Sequence, residues 1–248
     1  MTQPIVLYDI PGNDPQTLRW SPNSWKTRIS LAYKGLPYKS AWVELPDIEP
    51  TCKKLGVPHT QLSPSGEPTY TVPFIYDPNT DRHVVESAAI AKYLDETYPD
   101  TPKLFPPGTD SFQHAFLNLA WPSIGRPLYF SGMLGCLRVL NPASQPFWRK
   151  SREGMFGKPL EEMATEESWN SFVAGLGKLK AALEANGSTG GFFMGETLTF
   201  ADLQIAASLL WIKVVDGEVW DSIAGLHDGT WKNYLERFSG YISARESV

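Results

Sequence analysis

The stretch TVPFIYDPNTDRHVVESAAIAKYLDETYP, Thr71–Pro99, changes its hydrophobic period in mid-course. Thr71–Asp77 and Arg82–Val85 are short apolar runs on either side of Pro78-Asn79-Thr80, three turn-forming residues. That arrangement predicts two antiparallel strands joined by a hairpin. From Glu86 the pattern becomes helical: Ile90, Tyr93, Leu94 and Thr97 share one face, and Pro99 stops the helix.

Upstream, IVLYDI (Ile5–Ile10) is an apolar run bounded by Pro and Gly, which predicts a buried strand. Trp25, Ile29, Ala32, Tyr33 and Leu36 recur at helical spacing, and Gly35 supplies the left-handed stop. YKSAWVEL (Tyr38–Leu45) reads as a second strand, parallel to the first through a right-handed crossover. Pro50, Pro58, Pro64 and Pro68 punctuate the next segment, which reads as loop with a short helical piece around TCKKLG. The order is βαβ, irregular segment, ββα: an α/β thioredoxin-like N-terminal domain, residues 1–102.

Beyond the Pro-rich PDTPKLFPPGTD the strand signals stop. Trp169, Phe172, Leu176, Leu179 and Leu183 stand three and four residues apart, and LTFADLQIAASLLWIKVV is a second strong helix. Residues 103–248 therefore read as an all-α C-terminal helical domain.

Composition narrows the function. The net charge is −5, with 22 Lys and Arg against 27 Asp and Glu and no basic run, so nucleic-acid binding is not expected. Asp9, Asp14 and three prolines within the first fifteen residues do not fit a signal peptide, and IAASLLWI is cut off by Lys213, short of the ~20 residues a membrane span needs. A cytoplasmic protein off the membrane is expected. Cys52 and Cys136 read as small buried hydrophobes rather than a disulfide or redox pair. The four histidines show no metal spacing, and no metal is expected.

Three local features carry more. Pro73 interrupts a strand run, where it is either an edge-strand proline or a cis peptide that frees the backbone of Val72 for an extended ligand. Glu86 and Ser87 open a helix straight after a strand, as plain capping or as a place for a carboxylate and an ammonium. Thr199 and Asp202 form a capping box, which is structural on either reading.

Together, TVPF, ESAAIAKYL and TFAD resemble the glutathione transferase family over essentially the whole chain. SPNSWKTRISLAYKGLPY, PDIEPTCKKLG and FWRKSREGMFGKPLEE look like the etherase-like fungal members, which are associated with plant- and wood-derived aromatic compounds. The resemblance implies the glutathione transferase fold, glutathione as co-substrate, hydrophobic aromatic second substrates and a homodimer. It implies that Val72 and Pro73 present backbone to the cysteinyl part of glutathione, and that Glu86 and Ser87 hold its γ-glutamyl end. Ser24 matches the family's catalytic serine at a helix start, with Asn23 beside it; Ser21, Ser30 and above all Tyr8 are its rivals. A plain N-cap is the structural role open to Ser24, and packing under the first helix the one open to Tyr8. Lowering a thiol pKa of about 8.5 by two units takes roughly 2.7 kcal/mol, within reach of one ionic hydrogen bond plus a helix N-terminus. Lys39, Lys54 and His59 are candidates for the glycine carboxylate. Trp121, Tyr129 and Phe130, in a segment broken by Pro122, Gly125 and Pro127, are core or the wall of a pocket for flat apolar molecules. A ligandin that sequesters phenolics is the alternative to an enzyme.

Overall fold

The computed structural model describes residues 2–14, 18–63, 66–187 and 191–246. In chain order the strands are β1 (Ile5–Asp9), β2 (Tyr38–Trp42), β3 (Gln61–Leu62), β4 (Pro68–Thr69), β5 (Phe74–Asp77) and β6 (Arg82–Val85). The helices are α1 (Pro22–Tyr33), α2 (Ile48–Leu55), α3 (Ser87–Thr97), α4 (Asp110–Ala120), α5 (Arg126–Gly132), α6 (Cys136–Val139), α7 (Gln145–Phe156), α8 (Glu166–Glu184), α9 (Phe200–Val215), α10 (Gly217–Gly225), α11 (Thr230–Glu236) and α12 (Ser239–Ile242).

The chain forms two compact units. The first takes Met1–Leu104 together with Leu140–Phe147 and Gly240–Val248; the second takes Phe105–Val139 and Trp148–Ser239. In the first unit the sheet order is β2-β1-β5-β6, with β1 and β2 parallel and the β5–β6 hairpin antiparallel, as the periodicity predicts. Strand alternation sends Ile5, Leu7, Tyr38 and Ile75 to one face, where Leu31 of α1 and Ile90, Tyr93 and Leu94 of α3 cover them. Tyr8, Phe74, Tyr76 and His83 take the other face, with the Tyr8 and Phe74 rings stacked 4.1 Å apart.

Two later segments join this unit through polar contacts that no periodicity could announce. Asn141 Nδ2 and Ser144 Oγ donate to the Glu44 carboxylate. Glu246 reaches the free edge of β2, accepting from the Ser40 N–H and hydroxyl and from the guanidinium groups of Arg19 and Arg28. Arg28 is fully buried and also holds Asp9 at 2.8 Å, over the face of Trp42. These donors keep the Glu246 carboxyl down at about 2 despite its partial burial.

In the second unit α9 is apolar on almost every face, as an interior helix must be. Its start is fixed by the expected box: Asp202, fully buried, accepts from the Thr199 N–H and hydroxyl, from the Phe193 N–H and from the Tyr234 hydroxyl. The interruption expected at Pro122 and Gly125 is a π-type turn, Trp121–Gly125, that bridges α4 and α5 without ending the helix.

Candidate functional site

Three pieces of the first unit converge: the start of α1, the loop before β5, and the start of α3. The Val72–Pro73 peptide is cis, and β5 begins only at Phe74, so Thr71–Pro73 stand outside the ladder rather than inside a strand. Val72 is buried, yet among the described residues its main-chain N–H and C=O meet no partner within the protein. Buried main-chain groups are nearly always paired, so this peptide unit is set to bond something else.

Glu86 follows β6 directly with φ of 70°, an unusual conformation for a residue with a side chain, and serves as the N-cap of α3 without a side-chain capping bond. Its carboxylate is therefore exposed, while the first N–H groups of α3 and the buried Ser87 lie behind it. Thr71 Oγ1 comes within 3.5 Å of Glu86 Oε1 and bonds Thr60 Oγ1 at 3.2 Å, which draws the β3–β4 segment to the same place. Of the three candidates for the glycine carboxylate, His59 neighbours Thr60 and packs against Tyr70, whereas Lys39 lies on β2 and Lys54 on α2.

The start of α1 corrects the simplest structural reading of Ser24. The helix begins at Pro22, and Ser21 is its N-cap, accepting from the Ser24 N–H at a long 3.4 Å. Proline at N1 is pre-organised for that start, which the apolar pattern beginning at Trp25 does not reveal. The Ser24 hydroxyl is buried and has no hydrogen-bond partner among the described residues, and Asn23 beside it is exposed. Tyr8 does not pack under α1; it points to the opposite sheet face, in the stack with Phe74. Lys26, which the sequence does not single out, is buried at the next turn of α1, and loss of hydration lowers its ammonium to about 8 against the opposing field of Glu86. A lysine between Trp25 and Ile29 gives no clue to this, because its burial comes from α1 being covered from Ser24 to Leu31.

Cys52 and Cys136 are both buried and free, and burial pushes Cys136 up to about 12, so neither is an activated thiol. Among the described residues no group of three His, Cys, Asp or Glu side chains is gathered as for a metal, and no helix is long and apolar enough to cross a membrane.

A mixed sheet with a cis-proline loop, followed by a helical unit, is the glutathione transferase fold, with its thioredoxin-like first part. Residues 20–97 match the glutathione S-transferase N-terminal domain, and residues 111–241 match the glutathione S-transferase C-terminal domain. The chain belongs to the glutathione S-transferase family. It is 46% identical to glutathione transferase GSTFuA3 from Phanerochaete chrysosporium, with a TM-score of 0.94 over 100% of both chains. It is 39% identical to CsGST63524 of Ceriporiopsis subvermispora, solved in complex with glutathione, with a TM-score of 0.91 over 99% of this chain and 100% of that one. The glutathione S-transferase-like protein ustS of Aspergillus flavus is 32% identical, the match covering 92% of this chain and 87% of that protein.

Proposed function

We propose that the chain is a serine-type, etherase-like glutathione transferase that activates the glutathione thiol for attack on hydrophobic aromatic electrophiles. The unpaired peptide of Val72 at the cis bond carries the reading, because glutathione is a short extended peptide and needs main-chain partners of this kind. The uncapped start of α3 and Ser87 suit its γ-glutamyl carboxylate, and the exposed Glu86 suits its ammonium. The complex of CsGST63524 with glutathione supports the same ligand here. A homodimer in the cytoplasm belongs to this reading, and sedimentation velocity tests the dimer.

Ser24 is the proposed thiolate donor. Its hydroxyl has no partner to give up among the described residues, and the first N–H groups of α1 favour an anion beside it. A second reading rests on the closure of that hydroxyl from solvent: Ser21, at the cap where the α1 N–H groups converge, takes the role instead. Absorbance titration of bound glutathione decides. Loss of the ionic hydrogen bond in Ser24→Ala raises the thiol pKa by about one to two units. The same rise in Ser21→Ala alone assigns the cap residue, and in Tyr8→Phe alone it rejects both serines. Unchanged glutathione affinity in both Glu86→Ala and Ser87→Ala, by calorimetry, removes the glutathione site. A turnover panel of electrophiles run beside equilibrium binding of phenolics separates a transferase from a ligandin.

A further inference from the structure

Within the second unit, α7 places Trp148, Arg152 and Phe156 four residues apart, on one face. Tyr129 and Phe130 of α5 and Trp211 of α9 complete the group. The Tyr129 ring lies 6.4 Å from Trp148, 6.3 Å from Phe156 and 5.8 Å from Trp211, and Phe130 meets Phe156 edge-on at 5.1 Å. Gly132 makes the α5–α9 approach possible, since a Cβ there would sit 2.5 Å from a ring carbon of Trp211. Trp148 and Trp211 are buried, whereas Tyr129, Phe130, Arg152 and Phe156 are half-buried, so the aromatic group opens at one side.

The charge in this group is uncompensated. The Arg152 guanidinium lies 4.1 Å over the Trp148 ring, one Nη1 bond goes to Ser151 Oγ, a further N–H reaches the Tyr129 hydroxyl, and the buried Nε has no partner among the described residues. Among the described residues no carboxylate pairs with it. Acid is at hand on the same helix, but Arg149, one turn away on α7, takes both Glu153 and Glu161. Burial raises Tyr129 and Cys136, and Arg152 opposes that rise, by its field at both and by its hydrogen bond at Tyr129. Trp211 Nε1 is a second buried donor, whose partner among the described residues is the weakly accepting Cys136 sulfur, which itself donates to Gly132 O. A half-buried guanidinium among aromatic rings with N–H groups to spare and no counter-ion among the described residues matches a carboxylate.

We propose that this aromatic group is the second-substrate site and that Arg152 makes it selective for aromatic molecules bearing a carboxylate. The ring of the ligand lies against Tyr129, Phe130 and Phe156, and its carboxylate meets the Arg152 guanidinium. The assignment of the site as a substrate site rests on the transferase reading above; the preference for an anion rests on Arg152, the other cations of the group, Arg126 and Lys158, lying over the Phe130 ring at 5.3 and 5.9 Å.

Calorimetry without glutathione, comparing 3-phenylpropionate with the neutral 3-phenylpropionamide, tests it. The native chain binds the acid at least about tenfold more tightly, the discrimination one charge-assisted bond provides. Arg152→Gln loses that preference and keeps its affinity for the amide, and Arg152→Lys retains part of it. Equal binding of acid and amide by the native chain overturns the proposal, as does an undiminished preference in Arg152→Gln. If Arg152→Gln loses its near-ultraviolet circular dichroism, the acid–amide comparison on the native chain decides alone. An Arg152-dependent preference in a chain that does not bind glutathione keeps the anion site and removes the transferase reading; glutathione binding without that preference does the reverse.

Discussion

Arg28 and Arg152 both lie against the face of a tryptophan, at 5.3 Å from Trp42 and 4.1 Å from Trp148, and there the likeness ends. Arg28 is fully buried and holds two carboxylates, one from β1 and one from the tail, whereas Arg152 is half-buried and holds none among the described residues. The first guanidinium ties together parts of the chain far apart in sequence. The second bonds only hydroxyls, of Ser151 and Tyr129, among the described residues and keeps its Nε unpaired. An arginine that satisfies carboxylates inside the protein serves stability, and one left unsatisfied in a half-open aromatic group serves binding.

That contrast is open to direct attack. Arg28→Met leaves Asp9 buried without its cation and lowers stability by about 3–5 kcal/mol, while Arg152→Met costs less than about 1 kcal/mol; equal losses in denaturant melts break the comparison. Asp202→Ala is next. Four donors converge on that buried carboxylate, so the loss is about 2–4 kcal/mol, more than the usual cap, and glutathione affinity is unaffected. Glu246 sharpens the case through pH. Its folded pKa of about 2 lies below the unfolded 4.5, so its contribution is full above pH 4.5 and fades as pH falls towards 2. Glu246→Gln accordingly removes about 2 kcal/mol at pH 7 and only a small fraction of that at pH 2, and a constant difference across that range refutes the tail's role. The smallest effect belongs to the α1 start: Ser21→Ala costs about 1 kcal/mol as a lost cap. Ser24→Ala is neutral or slightly stabilising, because it removes a buried hydroxyl with no partner.

The candidate site was legible where local chemistry demanded a particular residue. Pro73 within an apolar run, Glu86-Ser87 at a strand-to-helix junction and the Thr199–Asp202 box each announce a backbone event, and each event occurs. Ser24 was legible only as a position near a helix start. Whether it caps, packs or faces a ligand depends on Pro22 starting the helix two residues earlier and on what covers α1. Lys26 and Arg152 gave no signal, because a cation's burial and its lack of an anion are facts about neighbours distant in sequence.

By itself the sequence determined the βαβ–ββα order of the main sheet and its helices, the parallel β1–β2 pair, the hairpin, α8 and the capped interior helix α9, since hydrophobic period, turn residues and caps act within a few residues of one another. It did not determine the short β3–β4 pair, which lies in a segment that reads as loop. Only the tertiary structure decided that Glu246, near the end of the chain, neutralises Arg28 at the edge of β2, that Tyr8 faces away from α1, and that Arg152 stands among aromatic rings with no carboxylate to meet it among the described residues. Electrostatic satisfaction depends on which groups folding brings within a few ångströms, and that distance is not written in any local pattern.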